Sequence, residues 1–183
     1  MEDFSLHYRE NNSVKKIADR LNYYFGGKRP IVVCIGTDLT IGDSLGPIVG
    51  TMLTERKLNA FIYGTLTTPI TAKDVVSMRR FLTCAHPTSR ILVIDAAIGK
   101  KEDLGYIKTC HAPIKPGLGA DKNLPEIGNV NIIGIVAEKS SANYSFLNLT
   151  RLSKVYEMSK IIADGITGYF NETAATNRIS AFG

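Results

Sequence analysis

The chain has 183 residues, of which 44% are hydrophobic and 21% are charged; this composition fits one globular domain and excludes a disordered, collagenous or disulfide-scaffold protein. The net charge is +5, but the basic residues are scattered singly or in pairs, whereas a nucleic-acid-binding surface would cluster them among aromatic residues. The three cysteines form no C-x-x-C pair, so neither a disulfide framework nor a cysteine zinc site is indicated. We therefore expect a single domain over residues 1–183 with no nucleic-acid partner.

The chain also lacks the sequence features of a membrane or secreted protein. No stretch approaches the roughly 20 consecutive apolar residues that a membrane-spanning helix needs. The first residues carry two acids and no apolar run, which is unlike a secretory signal peptide. These features predict a cytoplasmic protein with no membrane partner.

Helical and strand-like hydrophobic spacing alternate along the chain. Short β-branched runs are typical of strands buried on both faces, and apolar residues at spacings of three and four are typical of helices packed on one face. In chain order, the pattern predicts a helix over 13–25, a strand over 31–35, a helix from residue 44, a strand over 60–66, a helix opened by a capping-box pattern at 71–74, a strand over 91–94, a short edge strand over 106–110, a strand over 130–136, a long helix over 149–169 and a frayed tail over 171–183.

This alternation predicts a three-layer α/β/α fold, in which a mostly parallel central sheet carries helices on both faces. Ligands bind such sheets beyond the carboxyl ends of the strands, where successive crossovers leave in opposite directions and open a crevice. If the strand over 60–66 lies on one side of the strand over 31–35, and the strand over 91–94 on the other, the crevice opens between the last two.

Two aspartates are expected at this crevice. Asp43 lies in the loop after the strand over 31–35, at the start of the next helix, and Asp95 ends the strand that begins with the apolar run over 91–94. Alternatively, Asp43 caps the helix and Asp95 anchors a loop through backbone amides. Their joint placement favours a functional pair, because two close carboxyl groups raise one pKa and can share a proton. The ionised member can then deprotonate water while the protonated member donates to a carbonyl oxygen or a leaving amine.

The same two carboxylates could instead hold a divalent metal that activates water. A metal site of this kind needs a third ligand. By the order of the loops along the chain, His111 is the nearest candidate, ahead of His7 and His86. We expect no resident cofactor, and a metal at Asp43 and Asp95 is kept as an alternative.

Other motifs fail on their context. Gly42-Asp43-Ser44-Leu45 spells the opening block of a lipase and esterase family whose nucleophile would be Ser44, but that family's base lies in an Asp-x-x-His near the C-terminus and no histidine follows His111. No G-x-S-x-G elbow, Walker A sequence or G-x-G-x-x-G follows the first predicted strand. A Pro- and Gly-rich loop over 112–129 has a length usually associated with function, and the amides of Gly117 and Gly119 within it could cradle an anion or a peptide backbone.

Four segments carry a resemblance to a known family. Over about residues 30–137, the sequence resembles the YyaC-type sporulation proteins, and the matching segments are Cys34–Pro47, Val93–Ala97, Lys115–Gly119 and Leu124–Gly128. Those proteins are usually described as spore proteases and are similar to the germination protease of spore-formers and, more distantly, to the hydrogenase maturation endopeptidases.

The resemblance implies roles for individual residues. The two essential aspartates of the germination protease fall on Asp43 and Asp95, and the acids at these places in the maturation endopeptidases bind nickel together with a histidine. Thr37 stands where both related families tend to have Asn, and no histidine here aligns with the nickel-binding one.

Three hypotheses about function follow. In the first, the chain is a sporulation-associated endopeptidase of the forespore or mother-cell interior, which cleaves a protein or peptide substrate with Asp43 and Asp95. Its candidate substrate-binding residues are Thr37, Asp38, Gly117 and Gly119. In the second hypothesis, the chain has the same fold but is a non-catalytic peptide-binding or regulatory sporulation protein. In the third, it is a nickel- or zinc-dependent protease. The substrate and a homo-oligomeric state are left open.

Overall fold

A six-stranded sheet forms the centre of the computed structural model, which describes residues 4–116, 124–138 and 150–180. The strands are β1 Phe4–His7, β2 Ile31–Cys34, β3 Ile62–Tyr63, β4 Ile91–Gly99, β5 Tyr106–Cys110 and β6 Val130–Glu138. Their order across the sheet is β1-β5-β6-β4-β2-β3. The four strands from β6 to β3 run parallel, while β5 and β1 are antiparallel to their neighbours.

Helices cover both faces of this sheet, which confirms the predicted three-layer α/β/α fold. The helices are α1 Ser13–Phe25, α2 Leu45–Glu55, α3 Val75–Ala85 and α4 Leu152–Ser180, and two short 3₁₀ helices span Ile41–Ser44 and Lys101–Asp103. Because successive strand residues point to opposite faces, Val32 packs with α1, α2 and α4, whereas Val33 packs with α3. None of the helices within the described ranges is long and apolar enough to cross a membrane.

The order of strands confirms the assumption on which the predicted crevice depends. β2 pairs with β3 on one side and with β4 on the other, and both pairings are parallel. The connection that leaves β2 runs through α2 to β3, whereas the connection that leaves β4 runs to β5 and β6 on the other side, so a crevice opens between the carboxyl ends of β2 and β4.

Several boundaries differ from the sequence predictions. β1 is absent from the predicted elements because its four residues include one fully buried side chain, Leu6, and are too short for a recognisable alternation. β1 occupies the sheet edge that was predicted for 106–110, so β5 is an inner strand. The strand predicted over 60–66 is ordered as a strand only at Ile62–Tyr63.

Two elements also extend beyond their predicted ends. β4 continues four residues past Asp95 to Gly99, because it stays paired with β6 through a register shift at Ala97. α4 continues to Ser180 and buries Thr173, so residues 171–180 are helical and the predicted frayed tail is wrong over that range.

Candidate active site

Asp95 lies inside β4, next to the carboxyl end of β2, and is 8% exposed. Its Oδ1 accepts a hydrogen bond of 2.9 Å from the main-chain N–H of Ala96. Burial raises the pKa of the Asp95 carboxyl well above its usual value, and the charge of Asp43 raises it further, while the Ala96 amide acts in the opposite direction. Burial and a neighbouring like charge both favour the neutral form of this carboxyl group over the ionised form.

Asp43 lies in the 3₁₀ helix Ile41–Ser44 that leads into α2, and it is half-buried. Burial raises the pKa of its carboxyl to about 6, and the main-chain amide of Thr37 opposes this shift by stabilising the ionised form. Ser44, and not Asp43, occupies the N-cap position of α2, so the helix-capping alternative for Asp43 is wrong. The structure therefore brings Asp43 and Asp95 into electrostatic contact at the predicted crevice, with different environments around the two carboxyl groups.

Close backbone packing fixes the position of the Asp43 segment. Gly36 has a φ of 141°, and a Cβ at this position would lie 2.0 Å from the carbonyl oxygen of Asp43. A Cβ on Gly46 would lie 2.1 Å from the carbonyl oxygen of Ile35. Only glycine permits these approaches, so the two glycines hold the start of α2 against the end of β2. This role was not predicted, although Gly36 directly after a buried strand and Gly46 in the first turn of a helix are its signals in the sequence.

Thr37 and Asp38, predicted to bind substrate, occupy the turn between β2 and the 3₁₀ helix. The Thr37 N–H donates to the Asp43 carbonyl oxygen at 3.1 Å, and Thr37 Oγ1 accepts from the Leu39 N–H at 3.2 Å. Asp38 is exposed. Thr37 thus orients the segment that carries Asp43, and Asp38 presents its carboxylate to solvent beside it.

Gly117 and Gly119 lie outside the described residues. The described part of their loop is joined near its base by a pair of main-chain hydrogen bonds between Ile114 and Ile127, of 3.0 and 2.9 Å. Both isoleucines pack on the same sheet face as α3. That Gly117 and Gly119 border the cleft and bind substrate stays a prediction.

The predicted third metal ligand is not near the acid pair. His111 follows β5 at the opposite, amino edge of the sheet, where its ring contacts the guanidinium of Arg90. His86 bonds to the hydroxyl of Tyr63 at 2.7 Å, and His7 packs against neighbouring tyrosines. Within the described ranges, no three His, Cys, Asp or Glu side chains come together as a metal site would require. The described residues thus offer a metal only the two carboxyl groups.

Ser44 has no features of a nucleophile. It is 4% exposed, and its Oγ donates to the carbonyl oxygen of Ile41 at 2.7 Å. The hydroxyl group therefore stabilises the 3₁₀ turn that carries Asp43, in agreement with the rejection of the lipase-like motif.

Comparison with known proteins identifies the family. Residues 5–165 match the family described as "Protein of unknown function (DUF1256)". The chain belongs to this family. It is also 38% identical over 142 residues to "Uncharacterized protein YyaC" of Bacillus subtilis (strain 168), an alignment that covers 77% of this chain and 69% of the relative. Asp43 and Asp95 both fall within the region matched by this DUF1256 family.

Proposed function

We propose that this DUF1256 chain is an endopeptidase that hydrolyses peptide bonds in a protein substrate, with Asp43 and Asp95 as its catalytic pair. The observation that carries the proposal is the meeting of a buried carboxyl group, Asp95, and a half-buried one, Asp43, from segments 52 positions apart in the sequence, at the carboxyl edge of the sheet between β2 and β4. Strongly perturbed acids at such an edge are typical of functional sites, because burying two like charges together disfavours folding.

The different environments of the two acids support different roles. Asp43 is the more exposed, and with a pKa of about 6 it is mostly ionised at pH 7. Asp95 is more deeply buried and lies beside the Asp43 charge, which favours its neutral form. We therefore assign Asp43 as the general base and Asp95 as the general acid.

The proposed reaction is a direct attack of water on the scissile carbonyl carbon. Asp43 accepts a proton from the water as the water oxygen bonds to the carbonyl carbon, and Asp95 gives its proton to the carbonyl oxygen, which forms a gem-diol. The C–N bond then breaks as Asp95 takes back a proton from one hydroxyl group of the gem-diol, and the amine leaves with the proton that Asp43 accepted. Hydrolysis consumes one water molecule and returns both carboxyl groups to their starting protonation states.

The sporulation setting and the intracellular site of action are part of the proposal, and they are supported only by the resemblance to YyaC-type and germination proteins.

A second candidate, a non-catalytic peptide-binding protein, is favoured by one specific observation. The Asp95 carboxyl accepts a hydrogen bond from the main-chain amide of Ala96, and the main-chain amide of Thr37 lowers the pKa of the Asp43 carboxyl. Carboxylates that serve only as loop anchors make such bonds.

The test compares the wild-type protein with Asp43→Asn and Asp95→Asn on reduced, carboxymethylated lysozyme, with the fragments followed by mass spectrometry. Each substitution is expected to lower the cleavage rate by about a thousandfold, within the range for loss of a general acid or base. The control is Asp19→Asn, since Asp19 is exposed on α1, where it forms an ion pair with the exposed Lys15.

The two candidates give opposite results in this assay. The peptidase requires wild-type cleavage that rises with pH through about 6, as Asp43 ionises. Wild-type cleavage that either asparagine variant retains in full would contradict the mechanism, and an intact substrate from pH 5 to 8 would favour the non-catalytic candidate.

A further inference from the structure

Two exposed leucines lie in the loops that border the acid pair. Leu39 is 89% exposed and Leu66 is 39% exposed. Leu39 lies in the turn after β2, and Leu66 lies in the loop after the neighbouring parallel strand β3, so both belong to the carboxyl edge of the sheet. Single exposed leucines are common on protein surfaces, but these two are placed by the contacts that also place Asp43.

Leu39 is held by the turn that orients Asp43. Its N–H donates to Thr37 Oγ1 at 3.2 Å, and the main-chain amide of the same Thr37 stabilises the Asp43 carboxylate. Ile41, at the start of the 3₁₀ helix that carries Asp43, is also 37% exposed. The apolar side chains therefore project from the segment that carries the proposed base.

Leu66 is tied to the same region through the first turns of α2. Its N–H donates to Thr51 Oγ1 at 2.9 Å, and Thr51 Oγ1 donates to the carbonyl oxygen of Pro47 at 2.9 Å. The Pro47 ring in turn packs on Gly36, since a Cβ built on Gly36 would lie 3.1 Å from Pro47 Cδ. A continuous set of contacts thus connects Leu66 to the residues that hold Asp43.

The turn around Leu66 is also braced by hydroxyl groups. The Thr65 hydroxyl lies 3.0 Å from that of Thr67 and 2.9 Å from that of Thr68, and the Thr65 N–H donates to the Thr68 carbonyl oxygen at 3.1 Å. A braced turn that keeps a leucine in solvent loses little conformational entropy when a ligand covers it.

We propose that Leu39 and Leu66 form an apolar subsite that binds a large aliphatic or aromatic side chain next to the scissile bond of an extended polypeptide. Asp38, exposed between Thr37 and Leu39, makes the subsite unfavourable to acidic residues on either side of that side chain. The inference rests on the proposed function, because it is the acid pair that defines where the scissile bond lies.

The binding test uses the Asp95→Asn protein, which should not turn over its ligand, and two fluorescein-labelled peptides. The first probe is Gly-Ser-Ala-Leu-Leu-Ala-Ser-Gly, and the second carries serine in place of both leucines. Burial of one leucine side chain predicts that the leucine peptide binds about tenfold more tightly or better, as measured by fluorescence anisotropy. This preference should disappear when Leu39→Ser and Leu66→Ser are combined, and it should persist in the control Tyr23→Ser, since Tyr23 is 76% exposed on α1.

A third probe tests the role given to Asp38. A leucine peptide with glutamate in place of both alanines should bind several-fold more weakly than its parent, and Asp38→Asn should remove most of that difference. An equal preference for leucine over serine in the double-serine protein, or no preference in its parent, would overturn the subsite. An unchanged penalty in Asp38→Asn would overturn the role of Asp38.

Cleavage sites separate failure of the subsite from failure of the peptidase. If wild type cuts carboxymethylated lysozyme without regard to large apolar residues, while Asp43→Asn does not cut, the peptidase stands and the subsite is overturned. If Asp43→Asn and Asp95→Asn cut as wild type does, but the leucine preference depends on Leu39 and Leu66, the subsite stands and the catalytic pair is overturned.

Discussion

At the amino edge of the sheet Arg90 is surrounded by partners, whereas at the carboxyl edge Asp43 and Asp95 bring two acids together. Arg90 Nη1 donates to the carbonyl oxygen of Tyr24 at 2.7 Å, and its guanidinium lies 5.0 Å from the ring centre of Phe25. Among the described residues, the causes of the pKa shifts of the two acids are burial, main-chain amides and, for Asp95, the charge of Asp43, with no cation among them. At the amino edge, the positive charge of Arg90 has favourable partners. At the carboxyl edge, burial raises the free energy of the ionised carboxyl groups.

This difference supports the proposal that the carboxyl edge carries the chemistry while the amino edge contributes stability. A buried charge with hydrogen bonds and a ring face around it is a structural anchor. Two carboxyl groups at one crevice destabilise the folded state whenever either is ionised, and such perturbed acids are typical of functional sites.

We expect the largest change in the free energy of unfolding from a substitution that disrupts the backbone packing at the carboxyl edge. Gly46→Ala places a Cβ 2.1 Å from the carbonyl oxygen of Ile35, which forces α2 away from β2 and should lower the free energy of unfolding by about 3 kcal/mol. Gly168→Ala is the matched control in α4, because its Cβ would lie 3.6 Å from Ala18 Cβ, an ordinary contact. Alanine there should stabilise the protein by up to about 1 kcal/mol in urea unfolding. Equal effects of the two substitutions would remove the special role of Gly46.

The next largest effect concerns the free energy that is needed to keep Asp43 ionised in the folded protein. The folded-state pKa of Asp43 is about 6 against a usual 3.8, so the folded protein binds a proton more tightly than the unfolded chain does. The stability that this proton provides is present below pH 4 and is lost as the pH rises through about 6. Asp43→Asn removes the titration and should be more stable than wild type at pH 7, by at most about 3 kcal/mol.

The pH dependence of this difference is its control. Well below pH 4, Asp43 is neutral in both the folded and the unfolded protein, so the unfolding free energies of wild type and Asp43→Asn should converge there. An asparagine variant that is less stable than wild type at pH 7 would show that the Asp43 carboxylate stabilises the fold, as a loop anchor would.

A smaller effect is expected at the amino edge. Arg90→Ala removes a charged donor from the carbonyl oxygen of Tyr24 and the cation from the Phe25 ring, and should cost about 1.5–3 kcal/mol without changing the pH dependence of cleavage. Arg9→Ala is the control, since its ion pair with Glu157 spans 3.6 Å between exposed side chains and should contribute under about 0.5 kcal/mol. A pH profile altered by Arg90→Ala would mean that the two edges are coupled.

The sequence alone was sufficient to predict the three layers of the fold and the placement of Asp43 and Asp95 at one crevice. The buried β-branched runs at 31–34 and 91–94 predicted adjacent parallel strands, and parallel strands bring the residues that follow them to one edge. The prediction of the crevice needed only that β2 lie between β3 and β4, which is the observed order.

Features that depend on tertiary packing could not be read from local patterns. Leu6 in β1 becomes recognisable as a strand residue only through its pairing with Ile107 of β5. His111 was placed near the acids by loop order, but β5 runs antiparallel to β6 and carries it to the other edge. The exposure of Leu39 follows from a turn whose hydrogen bonds involve Thr37, and no periodicity reports it.

Carboxyl ¹³C NMR of protein labelled at aspartate tests most directly whether Asp43 and Asp95 form one electrostatic unit. In wild type, Asp43 should titrate near pH 6 and Asp95 well above the usual range for aspartate. In Asp43→Asn, the pKa of Asp95 should fall, because the neighbouring charge that raises it is gone. An Asp95 titration that is identical in the two proteins, or two aspartates that both titrate near pH 4 in wild type, would contradict the paired-acid site.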